Sequence, residues 1–186
     1  MTGRPYESSG LDRSPVRVVK TQLERGPLPH GDGWGGLYRL FDKLAPPGSA
    51  PRRVLCRYFW PKGPELATNA RWYRYLGVPL FGRIIPTGGV AIRRLTGAKM
   101  APYTLRGTSI GAARDFYYRT CAFEAAHSPF MLALLVLTGY QLANGRFDLA
   151  ANDMLVNLGV NIYPIMHHRH TRVRITNILA AAQRSD

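Results

Sequence analysis

Two apolar stretches near the C-terminus constrain the fold of this chain more than any other feature. They cover residues 130–143 and 149–166, with acids, amides and histidines in and around them. A turn-forming sequence that contains Arg146 separates them. Ionisable and amide side chains are costly in a membrane, where they usually mark a site or a pathway. The pattern predicts a membrane-associated helical hairpin, and two core helices of a small soluble bundle are the alternative.

The expected hairpin has a long first helix over residues 109–140 and a second over residues 147–166, limited by Pro164. The apolar part of the first helix is shorter than the roughly 20 residues that a helix needs to cross a bilayer. The sequence therefore leaves open whether the hairpin spans the bilayer or only dips into it. Upstream, residues 64–78 have a helical pattern. Residues 80–92 are apolar but interrupted by Pro and Gly, which favours an interfacial or re-entrant segment.

The fold class predicted for the whole chain is mainly α, with two apolar helices and a basic, loop-rich N-terminal region. We expect a partly irregular extension over residues 1–65 and a helical domain over residues 66–180. The net charge of +14 requires an acidic partner, either nucleic acid or an anionic membrane surface. Basic flanks on both sides of an apolar hairpin follow the positive-inside rule and predict a membrane protein with both termini in the cytoplasm. The expected partners are therefore membrane lipid and an apolar small molecule, without nucleic acid, and homo-oligomerisation stays open.

Glu124 and His127 lie three residues apart, so on a helix they share a face and can touch. A carboxylate that orients an imidazole raises its basicity, which is the minimum for general-base catalysis. An ion-paired helix entry at the membrane surface is the alternative. Asp153, Asn157 and Asn161 follow at helical spacing and line one stripe of the second helix. We predict that Glu124, His127 and Asp153 are catalytic; interhelical hydrogen bonding is the alternative for Asp153 and the favoured interpretation of the asparagines.

A basic, histidine-rich segment follows the second apolar stretch. Its arginines would repel a metal ion from the neighbouring histidines, so we expect no metal site. We expect the arginines to bind an anion at the interface, such as a lipid phosphate or the anionic end of a coenzyme, or simply to anchor the helix. The segment contains His167, His168, Arg169, His170, Arg172 and Arg174.

The same segment resembles the end of the glycosyl-4,4'-diaponeurosporenoate acyltransferase family. Members of that family typically read N-x-Y-P-I-x-x-Q-R-Y-N-R-x-R-L, and this chain reads N-I-Y-P-I-M-H-H-R-H-T-R-V-R-I from Asn161 onwards. Two upstream elements, around Trp72 and from Thr120 to His127, are similar and stand in the same order. At the C-terminal element, His168 replaces the family's Gln and His170 its Tyr, while the matching positions are Asn161, Tyr163, Pro164, Arg169, Arg172 and Arg174.

The resemblance implies a small bacterial membrane enzyme of carotenoid biosynthesis that transfers a fatty acyl group onto a sugar hydroxyl of a glycosylated terpenoid. It implies acyl-CoA or an acyl carrier protein as co-substrate, and no bound cofactor. His127, oriented by Glu124, would deprotonate the hydroxyl. The substrates would be held by Asn157, Asn161, Tyr163, His168, Arg169, Arg172 and Arg174. Two alternatives remain: a membrane-bound cyclase or isomerase of an apolar natural product that uses the same acid–base cluster, and a non-catalytic lipid-binding scaffold.

Overall fold

Every regular element in the described part of the chain is helical. The structure is a computed structural model, and it describes residues 20–21, 24–25, 42–84 and 110–182. The prediction of a mainly helical fold is confirmed for these residues. Most of the N-terminal region and of the interrupted segment 80–92 lies outside them. The helices are α1 (Ala50–Phe59), α2 (Gly63–Ala67), α3 (Arg71–Tyr75), α4 (Val78–Ile84), α5 (Ile110–Ala143), α6 (Phe147–Asn157), a π-helical segment (Leu158–Ile162) and α7 (Tyr163–Ala182).

The predicted hairpin is formed by α5 and by α6, which packs against it. The bounds of α5 agree with the first predicted helix to within three residues. The turn is closed by two backbone hydrogen bonds, from Gly145 N to Leu142 O at 3.0 Å and from Arg146 N to Gln141 O at 2.9 Å. Gly145 has a φ of +71°, a conformation that glycine adopts without the steric cost that a Cβ would add. A glycine at this position therefore allows the tight reversal between the two helices.

Pro164 does not end the second helix, contrary to the prediction. The α-helical geometry ends earlier, at Asn157, and resumes at Tyr163 after the π-helical segment. A proline is tolerated in the first turn of a helix, and the wider π turn before it relieves the clash of its ring with the preceding carbonyl. The chain therefore continues as α7 to Ala182, through the histidines and arginines. These residues are helical rather than a tail beyond the hairpin.

The short helices α1 to α4 pack around the polar halves of α5 and α7. Phe59 of α1 lies in a core with aromatic and aliphatic residues of α5 and α7, among them Phe116, Tyr117 and Ile175. The predicted helix over residues 64–78 is broken into α2 and α3 because Asn69 and Ala70 between them have positive φ angles. A second core joins α3 and α4 to α7, through Tyr73, Val78 and Val173.

The hairpin beyond Pro129 leaves its apolar side chains exposed. By length and composition, one helix of the described residues could cross a membrane, covering Gly111–Ala143, and most of its apolar part is not buried. The second apolar stretch gives no such candidate, so only one of the two predicted apolar helices passes this test. Soluble proteins rarely expose so large a contiguous apolar surface. Its exposed members include Phe130, Leu132, Val136, Leu142, Phe147, Leu149, Leu155 and Val160.

We expect Phe59→Ala to lower the free energy of unfolding by about 3–5 kcal/mol, because it empties a ring-sized space between α1, α5 and α7. Val54→Ala on the exposed side of the same helix is the control and should change it by less than about 0.5 kcal/mol. Denaturant titration of the detergent-solubilised protein, followed by tryptophan fluorescence, measures both. Equal stability of the two variants would show that α1 does not pack as described.

Candidate functional site

A buried carboxylate bound by two arginines lies at the centre of the polar half of the molecule, which contains α1 to α4 and the parts of α5 and α7 that pack against them. Glu124 of α5 is 0 % exposed, and Arg172 of α7 is 1 % exposed. Arg169 donates to Oε1 of Glu124 from Nε at 3.0 Å and from Nη2 at 2.8 Å. Arg172 donates to Oε2 from Nη2. Charge-assisted contacts of this kind are among the stronger hydrogen bonds in proteins, and here they join α5 to α7.

A second carboxylate extends the network to the short helices. Glu65 of α2 lies 4.0 Å from Nη1 of Arg169 and accepts a hydrogen bond from the Tyr73 hydroxyl of α3. Two aromatic rings of α1 lie against the guanidinium groups, Tyr58 at 5.3 Å from Arg169 and Phe59 at 5.5 Å from Arg172. Two carboxylates thus face two guanidinium groups, and the charges balance. Sequence reasoning missed Glu65, although it is the only acidic residue between Asp42 and Asp115, in a strongly basic part of the chain.

This network changes the expected roles of the arginines. Arg169 and Arg172 were predicted to bind the anionic end of a substrate. In the structure, both form ion pairs with Glu124 instead. The neutralised and buried Arg172 has no access to a soluble anion. Arg174, the third predicted anion-binding residue, is exposed on α7 and forms no ion pair with the described residues.

The predicted contact between Glu124 and His127 is not formed. Both oxygens of the carboxylate are taken by arginines, and the imidazole of His127 points to a different partner. Nδ1 of His127 lies 3.4 Å from Oδ1 of Asn161, which is across the hairpin in the π-helical segment. The alternative that treated Glu124 as an ion-paired structural residue matches its contacts, because an opposite charge attracts a carboxylate more strongly than a neutral imidazole does.

His127 is instead oriented by a chain of three amide and imidazole hydrogen bonds. Asn161 donates from Nδ2 to Oδ1 of Asn157 at 3.1 Å, and Asn157 donates from Nδ2 to the backbone carbonyl of Met131 at 3.0 Å. A carbonyl only accepts, so Asn157 must present its amide nitrogen to Met131 and its oxygen to Asn161. Asn161 then presents its own oxygen to His127, which must donate from Nδ1. In the neutral ring, this order of donors and acceptors places the proton on Nδ1 and leaves Nε2 as the basic nitrogen.

The chain of hydrogen bonds lies where the helices are irregular. Pro129 follows His127 by two residues inside α5, and it has no N–H to offer the carbonyl of Ala125. On the opposite helix, the π-helical segment contains Asn161 and follows Asn157 directly. Insertions of π-helix occur often at functional sites. Both irregularities mark the boundary between the buried polar half and the exposed apolar hairpin, and His127 lies at this boundary.

His168 of α7 adds a second imidazole to this boundary. Its ring stacks on the ring of Phe123, at 5.5 Å with an interplanar angle of 13°, and on the ring of His127, at 6.1 Å with an angle of 29°. His168 is buried, and burial together with the nearby His167 and Arg172 lowers its pKa well below the ordinary value of 6.5. It is therefore neutral at physiological pH and fills the space beside His127.

Asp153 and Tyr163, the remaining predicted site residues, form no hydrogen bond with His127. Asp153 is eight residues before Asn161 on the same helical run, about 12 Å away along the axis. Its Oδ2 is buried and has no hydrogen-bond partner among the described residues. The Tyr163 hydroxyl donates to the backbone carbonyl of Leu76 at 3.0 Å and so attaches α7 to the α3–α4 connection. No group of three or more His, Cys, Asp or Glu side chains in the described part of the chain converges as a metal site would require.

We expect Glu124→Gln to lower the free energy of unfolding by about 3–5 kcal/mol, because it leaves Arg172 buried without a counter-charge. The double variant Glu124→Gln/Arg172→Met should be more stable than the single variant, since it removes the unpaired charge as well. Thermal unfolding in detergent, monitored by circular dichroism, tests both. A double variant that is no more stable than Glu124→Gln would contradict the pairing.

We expect the free energy of unfolding to fall as the pH drops below about 6.5. His168 then binds a proton in the unfolded chain but stays neutral where it is buried in the folded protein. Above this pH the histidine is neutral in both states and contributes no pH dependence. His168→Gln, which introduces the family's residue, should reduce the slope of the free energy of unfolding against pH by up to about 1.4 kcal/mol per pH unit. His167 and His170 also have lowered pKa values, so part of the slope should persist. Identical slopes in the two proteins, measured by denaturant titration between pH 5 and 8, would exclude this role for His168.

No curated protein and no solved structure matches the chain significantly. The family model described as glycosyl-4,4'-diaponeurosporenoate acyltransferase matches residues 52–181, which is well over half of the chain. The match begins in α1 and ends in α7, so it includes the ion-paired network, the hydrogen bonds of His127 and the whole hairpin. The chain belongs to the glycosyl-4,4'-diaponeurosporenoate acyltransferase family.

Proposed function

We propose that this protein is a membrane-associated acyltransferase of carotenoid biosynthesis, which transfers a fatty acyl group onto a sugar hydroxyl of a glycosylated terpenoid. Membership of the family supports the acyl transfer. The observation that carries the mechanism is the orientation of His127. Its Nδ1 donates to Asn161, and its Nε2 is thereby the basic nitrogen at the edge of an exposed apolar hairpin.

His127 acts as the general base in this mechanism. Nε2 accepts the proton of the sugar hydroxyl while the hydroxyl oxygen attacks the thioester carbonyl of the acyl donor. The tetrahedral intermediate collapses with cleavage of the carbon–sulfur bond. The proton on Nε2 then passes to the departing thiolate, so the base is regenerated. The donor is acyl-CoA or an acyl carrier protein, and the step needs no bound cofactor.

The asparagines position the base. During proton transfer the imidazole becomes positively charged, and Oδ1 of Asn161 faces the Nδ1–H that carries part of this charge. Asn157 fixes the amide of Asn161 in turn. An amide in this position orients the ring as a carboxylate would, but with less effect on its basicity. Glu124, held by two arginines, keeps α7 in place and does not act on the proton.

The exposed hairpin explains how a membrane-dissolved acceptor reaches His127. The part of α5 from His127 to Ala143 contains 16 residues beyond the histidine, or about 24 Å of helix. A bilayer has a hydrocarbon core of about 30 Å. We propose that the hairpin enters this core from the cytoplasmic side and that both ends of the chain stay in the cytoplasm. His127 then lies near the headgroup layer, where a glycolipid sugar and a soluble acyl donor can meet, with exposed Arg174 available to the donor's phosphate.

We expect His127→Ala to lower turnover by about 10²–10⁴-fold, because it removes the nitrogen that accepts the proton of the hydroxyl. Lipids extracted from producing cells, or from vesicles with a glycosylated carotenoid and acyl-CoA, should contain a product heavier by one acyl chain only with the wild type. The mutant protein should be equally abundant in the membrane fraction. Full turnover by this variant would remove His127 from the mechanism, and a product of unchanged mass would indicate a cyclase or isomerase.

We expect Asn161→Leu to lower kcat with little change in KM, because it frees the His127 ring without removing the base. Asn161→Asp keeps the acceptor oxygen and should restore part of the activity and raise the pH at which the rate is half-maximal on the acidic limb. Asn152→Ala, an exposed asparagine on α6, is the matched control and should behave as wild type. Equal kcat losses in Asn161→Leu and Asn161→Asp would assign Asn161 a structural role only.

A further inference from the structure

Beside the base of the hairpin, α3 and α4 present a surface that the proposed reaction does not use. We call it the interfacial shoulder and define it by its exposed side chains Arg71, Trp72, Arg74, Tyr75 and Leu80. We propose that the interfacial shoulder binds the anionic phospholipid headgroups of the membrane surface into which the hairpin inserts. The inference rests on the hairpin insertion that forms part of the proposed function.

The interfacial shoulder has the composition of a membrane interface. Tyr75 is 84 % exposed, Leu80 57 % and Trp72 48 %. The rings of Tyr and Trp, with an apolar body and a polar edge, are enriched at the headgroup level of bilayers. Only Tyr73 of α3 turns inward, where it binds Glu65 and lies 6.1 Å from the ring of His170. The short helix is therefore anchored through one ring and presents the others.

The interfacial shoulder carries the positive charge of two arginines. No acidic residue occurs between positions 66 and 84, and Arg71 and Arg74 form no ion pair with the described residues. The nearest acid in the chain, Glu65, is already bound by Tyr73 and faces Arg169. Two exposed guanidinium groups beside exposed aromatic rings attract anionic lipid, by about 1 kcal/mol for each basic residue near the surface. A neutral protein partner would gain nothing from these charges.

Two contacts place the interfacial shoulder at the base of the hairpin. The Tyr163 hydroxyl donates to the carbonyl of Leu76, and the ring of Phe81 stacks on that of Tyr163 with centroids 4.9 Å apart. Tyr163 directly follows the π-helical segment, which contains Val160, a member of the exposed apolar surface. The interfacial shoulder is therefore attached to the helical run at the residue that follows the π-helical segment. A protein inserted to the depth of His127 brings the interfacial shoulder to the headgroups.

The depth of Trp72 tests the inference directly. The full chain with Trp34→Phe and Trp60→Phe keeps Trp72 as its single tryptophan, and a Val136→Trp variant that lacks all three natural tryptophans reports on the hairpin. Both are synthesised in the presence of phosphatidylcholine–phosphatidylglycerol vesicles with bromine placed near the headgroup or deep in the acyl chains. We expect shallow bromine to quench Trp72 more strongly, and deep bromine to quench the introduced tryptophan of the hairpin variant more strongly.

Either failure has a distinct meaning. An unquenched Trp72 beside a quenched hairpin tryptophan would overturn the interfacial shoulder and leave the proposed function intact. Two unquenched tryptophans would overturn hairpin insertion, and with it this inference.

The preference for anionic lipid is tested with charge variants. Vesicles of phosphatidylcholine alone and vesicles that also contain phosphatidylglycerol compete for newly synthesised protein and are then separated by flotation. Arg71→Gln/Arg74→Gln should reduce the preference for the anionic vesicles by up to about 30-fold at low salt. Lys43→Gln/Arg53→Gln removes the same charge from exposed positions in and before α1, which packs against the N-terminal half of α5. Equal losses in the two variants would show a general charge effect and overturn the site.

Discussion

The position of Glu124 between two arginines is the interaction on which the arrangement of this protein depends. Removing a carboxylate and a guanidinium from water costs several kcal/mol for each ion, and only close, well-directed pairing offsets it. Glu124 and Arg172 are both fully buried, so α5 and α7 must meet in a register that brings them together. A displacement by one residue would leave both charges unpaired in a low-dielectric interior. Specificity of register, more than net stability, is what we ascribe to this pair.

The ion pair and the proposed base lie on the same two helical runs. His127 lies one helical turn beyond Glu124 on α5, and Asn161 lies two turns before Arg169 on the opposite run. Both contacts join α5 to the helical run that contains Asn161 and Arg169, so both depend on how these two runs pack against each other. The polar network and the hydrogen bonds of the imidazole are therefore separate in function and connected through the helices that carry them. A substitution in the network should disturb catalysis through position, without contact to a substrate.

Two kinds of surface meet at the level of His127. On the side of the α5 N-terminus, charges are paired inside a bundle that includes α1 to α4. On the side of the turn between α5 and α6, these two helices expose large apolar side chains. A polar group near the end of such a hairpin is close to water and to lipid at once. This suits an acyl transfer whose acceptor is dissolved in the membrane and whose donor is soluble. The interfacial shoulder adds a basic, aromatic surface at the same level.

The sequence by itself determined the helical class, the hairpin with its turn at Gly145, and the family, since these follow from local periodicity, turn chemistry and a matching C-terminal motif. Spacing on one helix also suggested that Glu124 and His127 act together. Only the tertiary structure decided their partners, because a carboxylate pairs with the cations that packing brings to it, and Arg169 and Arg172 are more than forty residues away. The continuation of α7 through Pro164 likewise depended on a π-helical turn that periodicity cannot reveal. Local pattern specifies elements, whereas the pairing of buried charges and amides is a property of the packed helices.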